Sequence, residues 1–300
     1  MRVTDTILQN NLLSNLNFSS ERLYDAETKV LTGKRVNKPS DNPVDAMTSM
    51  NIRTKIEEIN QFQRNIGRAK ITLENTESQT TQLADIFQRL STLTVQGASD
   101  SYGASDKLSI ASEVNQLVEQ IFNISNSRSE SSYLFGGTNN DVAPFQATLN
   151  ADGEIETVGT TGSDGDIKNM IGDRIKIKIN VNGEDLFVKG ENLFDIALKI
   201  RDDLRANDSS ALNADLGKLH ESTEKIFNSQ SSLGSRLKRV YAAETRAETD
   251  EISFTQFLSA TEDIDASEAI MNYQMELLTL QASLEAGARL LRPRLVDFLG

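Results

Sequence analysis

The 300-residue sequence contains no cysteine, so disulfide bonds, thiolate metal ligands and cysteine nucleophiles are excluded together. It also lacks long apolar runs, since none approaches the roughly 18 residues that a membrane-spanning helix needs. The first residues, from Met1 to Thr6, are mostly polar and do not form the apolar stretch of a cleaved signal peptide. We therefore expect no membrane insertion and no classical secretion.

Positive charge is scarce relative to negative charge. Lys and Arg total 31 against 44 Asp and Glu, which gives a formal net charge of −13 at pH 7 and a pI of about 4.7. Nucleic acids and anionic lipid surfaces repel a chain of this sign. We predict that neither is a partner.

Residue patterns typical of catalytic and metal sites are missing. The single histidine, His220, has no second histidine four residues later, so the zinc-protease pattern is absent. Glu262, Asp263 and Asp265 lie close in sequence but lack the glycine and the terminal glutamate of a calcium loop. Capping or solvation of a helix end explains them better. We predict no catalytic residue, no metal, no cofactor and no enzymatic activity.

Apolar residues recur every seven residues in both terminal parts of the chain, which predicts amphipathic helices. The first helix is expected to end near Gly33, because glycine tolerates the left-handed conformation that closes a helix. Asn42 and Pro43 are typical of an N-cap and a first helical residue. The heptad columns are Leu12, Leu16 and Leu23; Ile52, Ile59, Ile66, Leu73, Thr80 and Phe87; Leu212, Leu219, Ile226, Leu233 and Val240; and Ile270, Leu277, Leu284 and Leu291.

The second helix is expected to break between Gly97 and Gly103, with Ser105 or Asp106 capping a third helix. After residue 129 the residue composition changes, and glycine, threonine, asparagine and aspartate become frequent. This change indicates a small domain of a different kind at roughly 138–205.

Within the middle segment, apolar and polar residues alternate strictly from Ile175 to Val181. Asn182-Gly183 follows, and then Leu186 to Val188, which together predict a β-hairpin with a type I′ turn. A short helix is expected from Leu193 to Leu204. The predicted fold class is mainly α: a long coiled-coil helical rod built from the N- and C-terminal segments, with a small β-rich α+β domain inserted between them.

The connector from Leu31 to Ala46 reads Leu-Thr-Gly-Lys-Arg-Val-Asn-Lys-Pro-Ser-Asp-Asn-Pro-Val-Asp-Ala. It resembles the segment after the first helix in the flagellin family. Filament flagellins have an alanine-rich Asp-Asp-Ala-Ala-Gly segment here, whereas this chain has the Pro-containing form of the family's junction proteins. Ser131 to Thr138 and Glu262 to Asp265 extend the resemblance. The connector residues that carry it are Gly33, Lys34, Arg35, Pro39, Ser40, Asp41 and Pro43.

The resemblance implies a structural adaptor that joins the flagellar hook to the filament, outside the cell, after export by the flagellar type III apparatus without a cleaved signal peptide. The implied partners are further copies of the chain in a junction ring, hook-associated protein 1, flagellin and a cytosolic export chaperone. The implied domains are an inner coiled coil (1–42 and 263–300), a helical rod domain (43–137 and 206–262) and a β-containing outer domain (138–205).

Identical subunits related by rotation and rise make heterologous contacts, which propagate as rings or helices. We expect the heptad leucines of both ends to supply these contacts, buried only when subunits stack. The proposed subunit-packing residues are Leu12, Leu16, Leu23, Ile270, Leu277, Leu284 and Leu291.

Less specific interpretations remain open. Heptads occur in many bundles, and a filament-forming flagellin or flagellin-like adhesin is the main alternative to a junction adaptor. A coiled-coil scaffold unrelated to flagella is a third. The basic residues Lys34, Arg35 and Lys38 are expected to be solvated, with contact to an acidic neighbouring subunit as the alternative.

Overall fold

The computed structural model describes residues 2–129, 132–162 and 164–290, most of which are helical. The described strands form three separate two-stranded antiparallel sheets, β1 with β2, β3 with β4 and β5 with β6. The prediction of a mainly α fold with a small β-containing region in the middle is confirmed. The helices are α1 (Arg2–Thr32), α2 (Pro43–Ala98), α3 (Ala104–Ser125), α4 (Leu193–Arg205), α5 (Ser209–Glu262) and α6 (Ala266–Leu290). The strands are β1 (Arg128–Ser129), β2 (Ser132–Tyr133), β3 (Phe145–Leu149), β4 (Ile155–Thr160), β5 (Lys168–Gly172) and β6 (Ile175–Lys178).

The ends of the first two helices follow the sequence signals. Helix α1 stops at Thr32 because Gly33 takes a left-handed φ of 67°, which only glycine adopts without strain. Asn42 caps α2, since its side-chain oxygen accepts the backbone N–H groups of Val44 and Asp45 at 3.1 and 3.2 Å. Both predictions are confirmed.

The start of α3 differs from the prediction. Its N-cap is Gly103, not Ser105 or Asp106, and Asp106 lies at the third helical position. From there the Asp106 carboxylate accepts the Gly103 N–H at 3.1 Å. The acidic residue therefore closes the cap from inside the helix, as the last residue of a capping box does. Helix α2 continues through Gly97 to Ala98.

The predicted hairpin with its turn at Asn182-Gly183 is wrong. Gly183 has φ −61° and ψ −38°, whereas a type I′ turn needs a positive φ at both central residues. The residues after it, Glu184–Val188, form a π-helical turn. Strand β6 pairs with the preceding strand β5, and the tight turn between them contains Arg174 at φ 57°. The alternation identified the strand correctly, but its partner lies on the other side in sequence.

The chain forms two compact units. We call Ile59–Thr249 the central unit, and Met1–Glu58 with Asp250–Gly300 the terminal unit. The central unit contains a continuous apolar core in which the rings of Phe135 and Phe145 pack on Phe187 at centroid distances of 5.2 and 5.3 Å. The heptad residues that are buried there are Ile59, Ile66, Leu73, Thr80, Phe87, Leu212, Leu219, Ile226, Leu233 and Val240.

Burial in the terminal unit is much weaker. Among its described residues, the fully buried apolar side chains are Ala46 and Ala269 alone. The buried polar side chains there are Ser19, Ser49 and Glu262. Alanine contributes little apolar area, so the described part of this unit has a thin interface between helices and no deep core.

Candidate assembly site

The connector between α1 and α2 is fixed to the segment between α5 and α6 by backbone hydrogen bonds. The N–H of Arg35 donates to the carbonyl of Glu262 at 2.6 Å, and the N–H of Ile264 donates to the carbonyl of Gly33 at 3.1 Å. Lys34 and Asp263 form an isolated antiparallel bridge between them. The two connectors of the terminal unit, some 230 residues apart in sequence, thus form one small β-like pairing.

The carboxylate of Glu262 is the buried charge of this pairing, with the residue 5% exposed. Its two oxygens accept separate cations, Lys34 Nζ at 2.8 Å and Arg53 at 2.6 Å. Burial by itself would raise the pKa of the Glu262 carboxyl, but the hydrogen bonds from Lys34 and Arg53 outweigh that effect and lower the pKa below its usual value. Glu262 therefore stays ionised and joins α2, α5 and the connector.

The other basic residues of the connector also have partners within the chain. The Arg35 guanidinium donates to the Asp45 carboxylate at 3.0 Å and to the Thr261 carbonyl at 2.8 Å. Lys38 lies 3.6 Å from Asp25. The expectation that the basic residues are solvated fails for Lys34, which is paired with the buried Glu262, whereas Arg35 and Lys38 are half exposed to solvent beside their acidic partners.

The Pro-containing turn is ordered by a carboxylate. Asp41 accepts the backbone N–H groups of Asn37 and Lys38 at 3.0 and 2.9 Å, and these bonds lower the pKa of its carboxyl. Pro39 and Ser40 are exposed at the tip of the turn, and Pro43 opens α2. Asp41 and Asn42 therefore fix the backbone while the tip stays accessible.

Helices α1 and α6 pack closely through small residues. A Cβ at Gly287 would lie 3.0 Å from Leu12 Cδ2, so a larger residue at this position would require the Leu12 side chain to shift. An ion pair, Arg22 to Glu276 at 3.1 Å, closes the edge of the interface. The interface is thus narrow, and it leaves most of each helix surface uncovered.

The predicted packing residues fall into two groups. Leu12, Leu16, Leu23 and Leu277 are half-buried, whereas Ile270 and Leu284 are 47% and 52% exposed. Leu291 lies outside the described residues. Other large apolar side chains are also exposed on the helices of the terminal unit, namely Ile7, Leu13, Phe18, Tyr24, Leu31, Val44, Met47, Met50, Ile252, Phe257, Met271, Met275 and Leu278. We call this set, with Ile270 and Leu284, the exposed apolar face.

Other chemistry is not evident in the part of the chain that the structure describes. No three His, Cys, Asp or Glu side chains of these residues are grouped so that they could hold a metal ion. His220 is exposed and 3.7 Å from Glu224. None of the described helices combines the length and the apolar character of a membrane span.

Sequence reasoning missed Glu262 and Arg53 as the centre of the connector pairing. Glu262 was interpreted with Asp263 and Asp265 as a capping or solvated group. That interpretation holds for Asp265, which accepts the Ser267 N–H at 2.8 Å at the start of α6. It fails for Glu262, because this carboxylate is buried and paired with Arg53. The two residues are 209 positions apart, so no spacing in the sequence indicates the pair.

Comparison with known proteins agrees with this architecture. Residues 3–140 match the model of the bacterial flagellin N-terminal helical region. A flagellin of Clostridium tyrobutyricum is 30% identical over 126 residues, which are 42% of this chain and 33% of that protein. The flagellar hook-associated protein 3 of Escherichia coli (strain K12) is 25% identical over 302 residues, which cover 94% of each chain.

A solved structure shares the fold. The flagellar junction protein of Legionella pneumophila superimposes with a TM-score of 0.60 at 14% identity, covering 73% of this chain and 100% of that one. The similarity to the hook-associated protein thus extends over nearly the full length of both chains, whereas the match to the flagellin spans only a third of that protein.

Proposed function

Because the chain belongs to the flagellin family, we propose that it is the structural subunit that joins the flagellar hook to the filament. It is a component of the bacterial flagellum. The observation that carries the proposal is the similarity to hook-associated protein 3 over 94% of both chains. Joining two assemblies requires binding surfaces and no bond chemistry, so the chain acts mechanically and not as an enzyme.

The terminal unit supplies the surfaces that bind neighbouring subunits in this proposal. Large apolar patches on a soluble protein mark interaction sites, and the exposed apolar face is concentrated on α1, α6 and the adjoining ends of α2 and α5. Subunits that stack with a rotation and a rise bury this face through heterologous contacts. Leu12, Leu16, Leu23, Ile270, Leu277, Leu284 and Leu291 are the proposed contact residues.

The connector sets the orientation of the helices that bear this face. Gly33, Lys34, Arg35 and Asp41 hold the turn by the contacts described above, and the exposed Pro39 and Ser40 are available to an adjoining subunit. We infer that the partners are further copies in a junction ring, hook-associated protein 1 below and flagellin above. A cytosolic chaperone would cover the apolar face before export through the flagellar type III apparatus.

A filament-forming flagellin is the alternative. The full-length similarity to a hook-associated protein disfavours it, and so does the Pro39 to Pro43 turn in place of an alanine-rich segment. The two functions predict different cells after deletion of the gene. Loss of a junction subunit leaves hooks without filaments and releases flagellin into the medium, whereas loss of a minor flagellin leaves filaments in place.

The experiment is electron microscopy of the deletion strain, with immunoblots of the medium for flagellin. Restoring the gene on a plasmid is the control and must return filaments. Bare hooks with secreted flagellin support the junction function. Intact filaments on the deletion strain would contradict it.

A further inference from the structure

The central unit contains a small cavity where positively charged groups outnumber negative ones, although the chain as a whole is strongly acidic. The cavity measures about 180 Å³ and lies between α5 and the π-helical turn Glu184–Val188. That volume holds an ion and a few waters, since one water occupies about 30 Å³ of liquid. Its charged lining groups are Lys178, Lys225, Arg236 and Asp185.

One face of α5 supplies most of the donors. Lys225, Ser229, Ser232 and Arg236 follow each other at intervals of four, three and four residues, which places them on one side of the helix. Neither the Ser229 nor the Ser232 hydroxyl has a hydrogen-bond partner among the residues that the structure describes. Two hydroxyl groups are therefore available between two cationic side chains.

The two cations are bonded to carbonyl groups and not to carboxylates. The Lys225 ammonium donates to the backbone carbonyls of Lys189 and Glu191. The Arg236 guanidinium donates to the Asn180 carbonyl at 3.0 Å, which uses only one of its five N–H groups. Burial lowers the pKa of both side chains, and the nearby acidic residues offset this only in part. A bound anion in the cavity would place a negative charge beside these two cationic groups.

The acidic group of the lining already has partners. Asp185 accepts from Lys189 at 3.2 Å and from the buried Asn182 amide at 3.3 Å. Lys178 is paired with Asp166. The donors that remain are thus the unused N–H groups of Lys225 and Arg236 and the hydroxyls of Ser229 and Ser232, and we propose that they bind a free tetrahedral oxyanion of the phosphate or sulfate class.

Thermal unfolding of the full chain in phosphate and in chloride of equal ionic strength tests the site. If 10 mM phosphate is about ten times the dissociation constant, the midpoint rises by about 3 to 6 °C. Phosphate also stabilises folded proteins in general by exclusion from their surface. The site is therefore measured by how much of the phosphate-induced rise in the unfolding midpoint is lost when residues that line the cavity are substituted.

Lys225→Gln should lower the phosphate-specific shift to less than about a third of the wild-type value. Lys218→Gln is the matched control, because it removes an exposed lysine of the same helix outside the cavity. The double variant Ser229→Ala, Ser232→Ala removes hydroxyls that have no other described partner, so it should fold even if Lys225→Gln does not. A shift that is equal in chloride, or that persists in the double variant, would overturn the proposal.

Discussion

The central unit and the terminal unit have similar heptad patterns in sequence but bury them to different extents. In the central unit, Leu73, Phe87 and Leu212 are fully buried by other parts of the same unit. In the terminal unit, equivalent leucines are half-buried or exposed, and Leu284 is 52% exposed. A heptad thus specifies which face is apolar, and whether the covering surface belongs to the same molecule is a separate question.

The units also differ in what holds them together. Apolar area buried at about 25 cal/mol per Å² stabilises the central unit, where five phenylalanine side chains are almost completely buried. The terminal unit relies on small residues, on the backbone pairing of its connectors and on the ion pairs of Glu262. Such contacts orient helices but add little net stability, so this unit is expected to open more easily.

The largest effect is expected from Phe187→Ala in the central core. The ring packs against three other phenylalanines, and its loss should lower the free energy of unfolding by about 3 to 5 kcal/mol. Urea unfolding followed by circular dichroism measures this. Phe18→Ala, on the exposed part of α1, is the matched control and should cost less than about 0.5 kcal/mol. Equal losses in the free energy of unfolding at the two positions would contradict the proposed difference in burial between the units.

Glu262→Gln sharpens the comparison at the connector. Removing the charge leaves Lys34 and Arg53 with a weaker partner and should destabilise the pairing by about 1 to 3 kcal/mol. Because the folded pKa of Glu262 is lowered, its contribution is present above the unfolded value of 4.5 and disappears as the pH falls through the folded pKa.

Amide exchange at Arg35 and Ile264 measures the local stability of the connector in wild type and variant. The difference in local opening free energy between wild type and variant should be largest at pH 7 and should decrease in acid. Glu27→Gln, an exposed change on α1, is the control. A difference that is the same at pH 7 and in strong acid would rule out the ionised Glu262 as its source.

A smaller effect of opposite sign is expected from Asp203→Asn in the central unit. Burial and a hydrogen bond shared with the buried carboxyl of Asp215 raise the pKa of Asp203, with Lys199 opposing this shift. A raised carboxyl pKa means that wild-type stability falls as the pH rises from 3.8 through the folded pKa. Asparagine donates the same hydrogen bond without a proton to lose.

The Asp203→Asn variant should therefore be more stable than wild type by about 1 kcal/mol at pH 8 and no more stable at pH 3.8. Chemical denaturation at the two pH values tests this. Asp173→Asn, which lies in the exposed turn after β5, is the control. A variant that is less stable than wild type at pH 8 would contradict the shared proton.

Leu284→Asp is expected to have the smallest effect on the isolated chain, below about 0.5 kcal/mol, because the residue is exposed. In the flagellum the same change should prevent assembly, since an unpaired carboxylate would enter an apolar contact. Asn228→Asp introduces the same charge at an exposed position of α5 in the central unit, outside the exposed apolar face, and serves as control. A Leu284→Asp strain that swims normally would refute the proposed contact.

The helices and most of their ends were predictable from the sequence because their signals are local, although the start of α3 was not, since its N-cap is Gly103. Asn42 with Pro43, and Gly33 after α1, act on their own turns. The hairpin at Asn182-Gly183 failed because the choice of strand partner depends on distant contacts. The buried Asn182 amide bonds to Asp164 and Asp185 and is not in a turn of the predicted type. The same limit applied to Glu262, whose cations come from remote parts of the chain.

The candidate surface was predictable only in part. The heptads identified apolar columns, but not that Gly287 would lie against Leu12 of α1 while Ile270 and Leu284 stayed exposed. Small residues permit close approach of helix backbones and carry little hydropathy signal. A heptad pattern of leucines therefore identifies the apolar side of α6, but not the small residue through which α6 approaches α1.

Native-state hydrogen exchange of the purified monomer tests the central claim most directly, because it reports opening free energies along the whole chain. The amides of α1 and α6 should exchange through local opening at a small fraction of the global free energy of unfolding. The amides around Leu73, Phe87 and Leu212 should exchange only on global unfolding. Equal, strong protection of α1 and the central core would contradict a terminal unit that depends on neighbouring subunits for its burial.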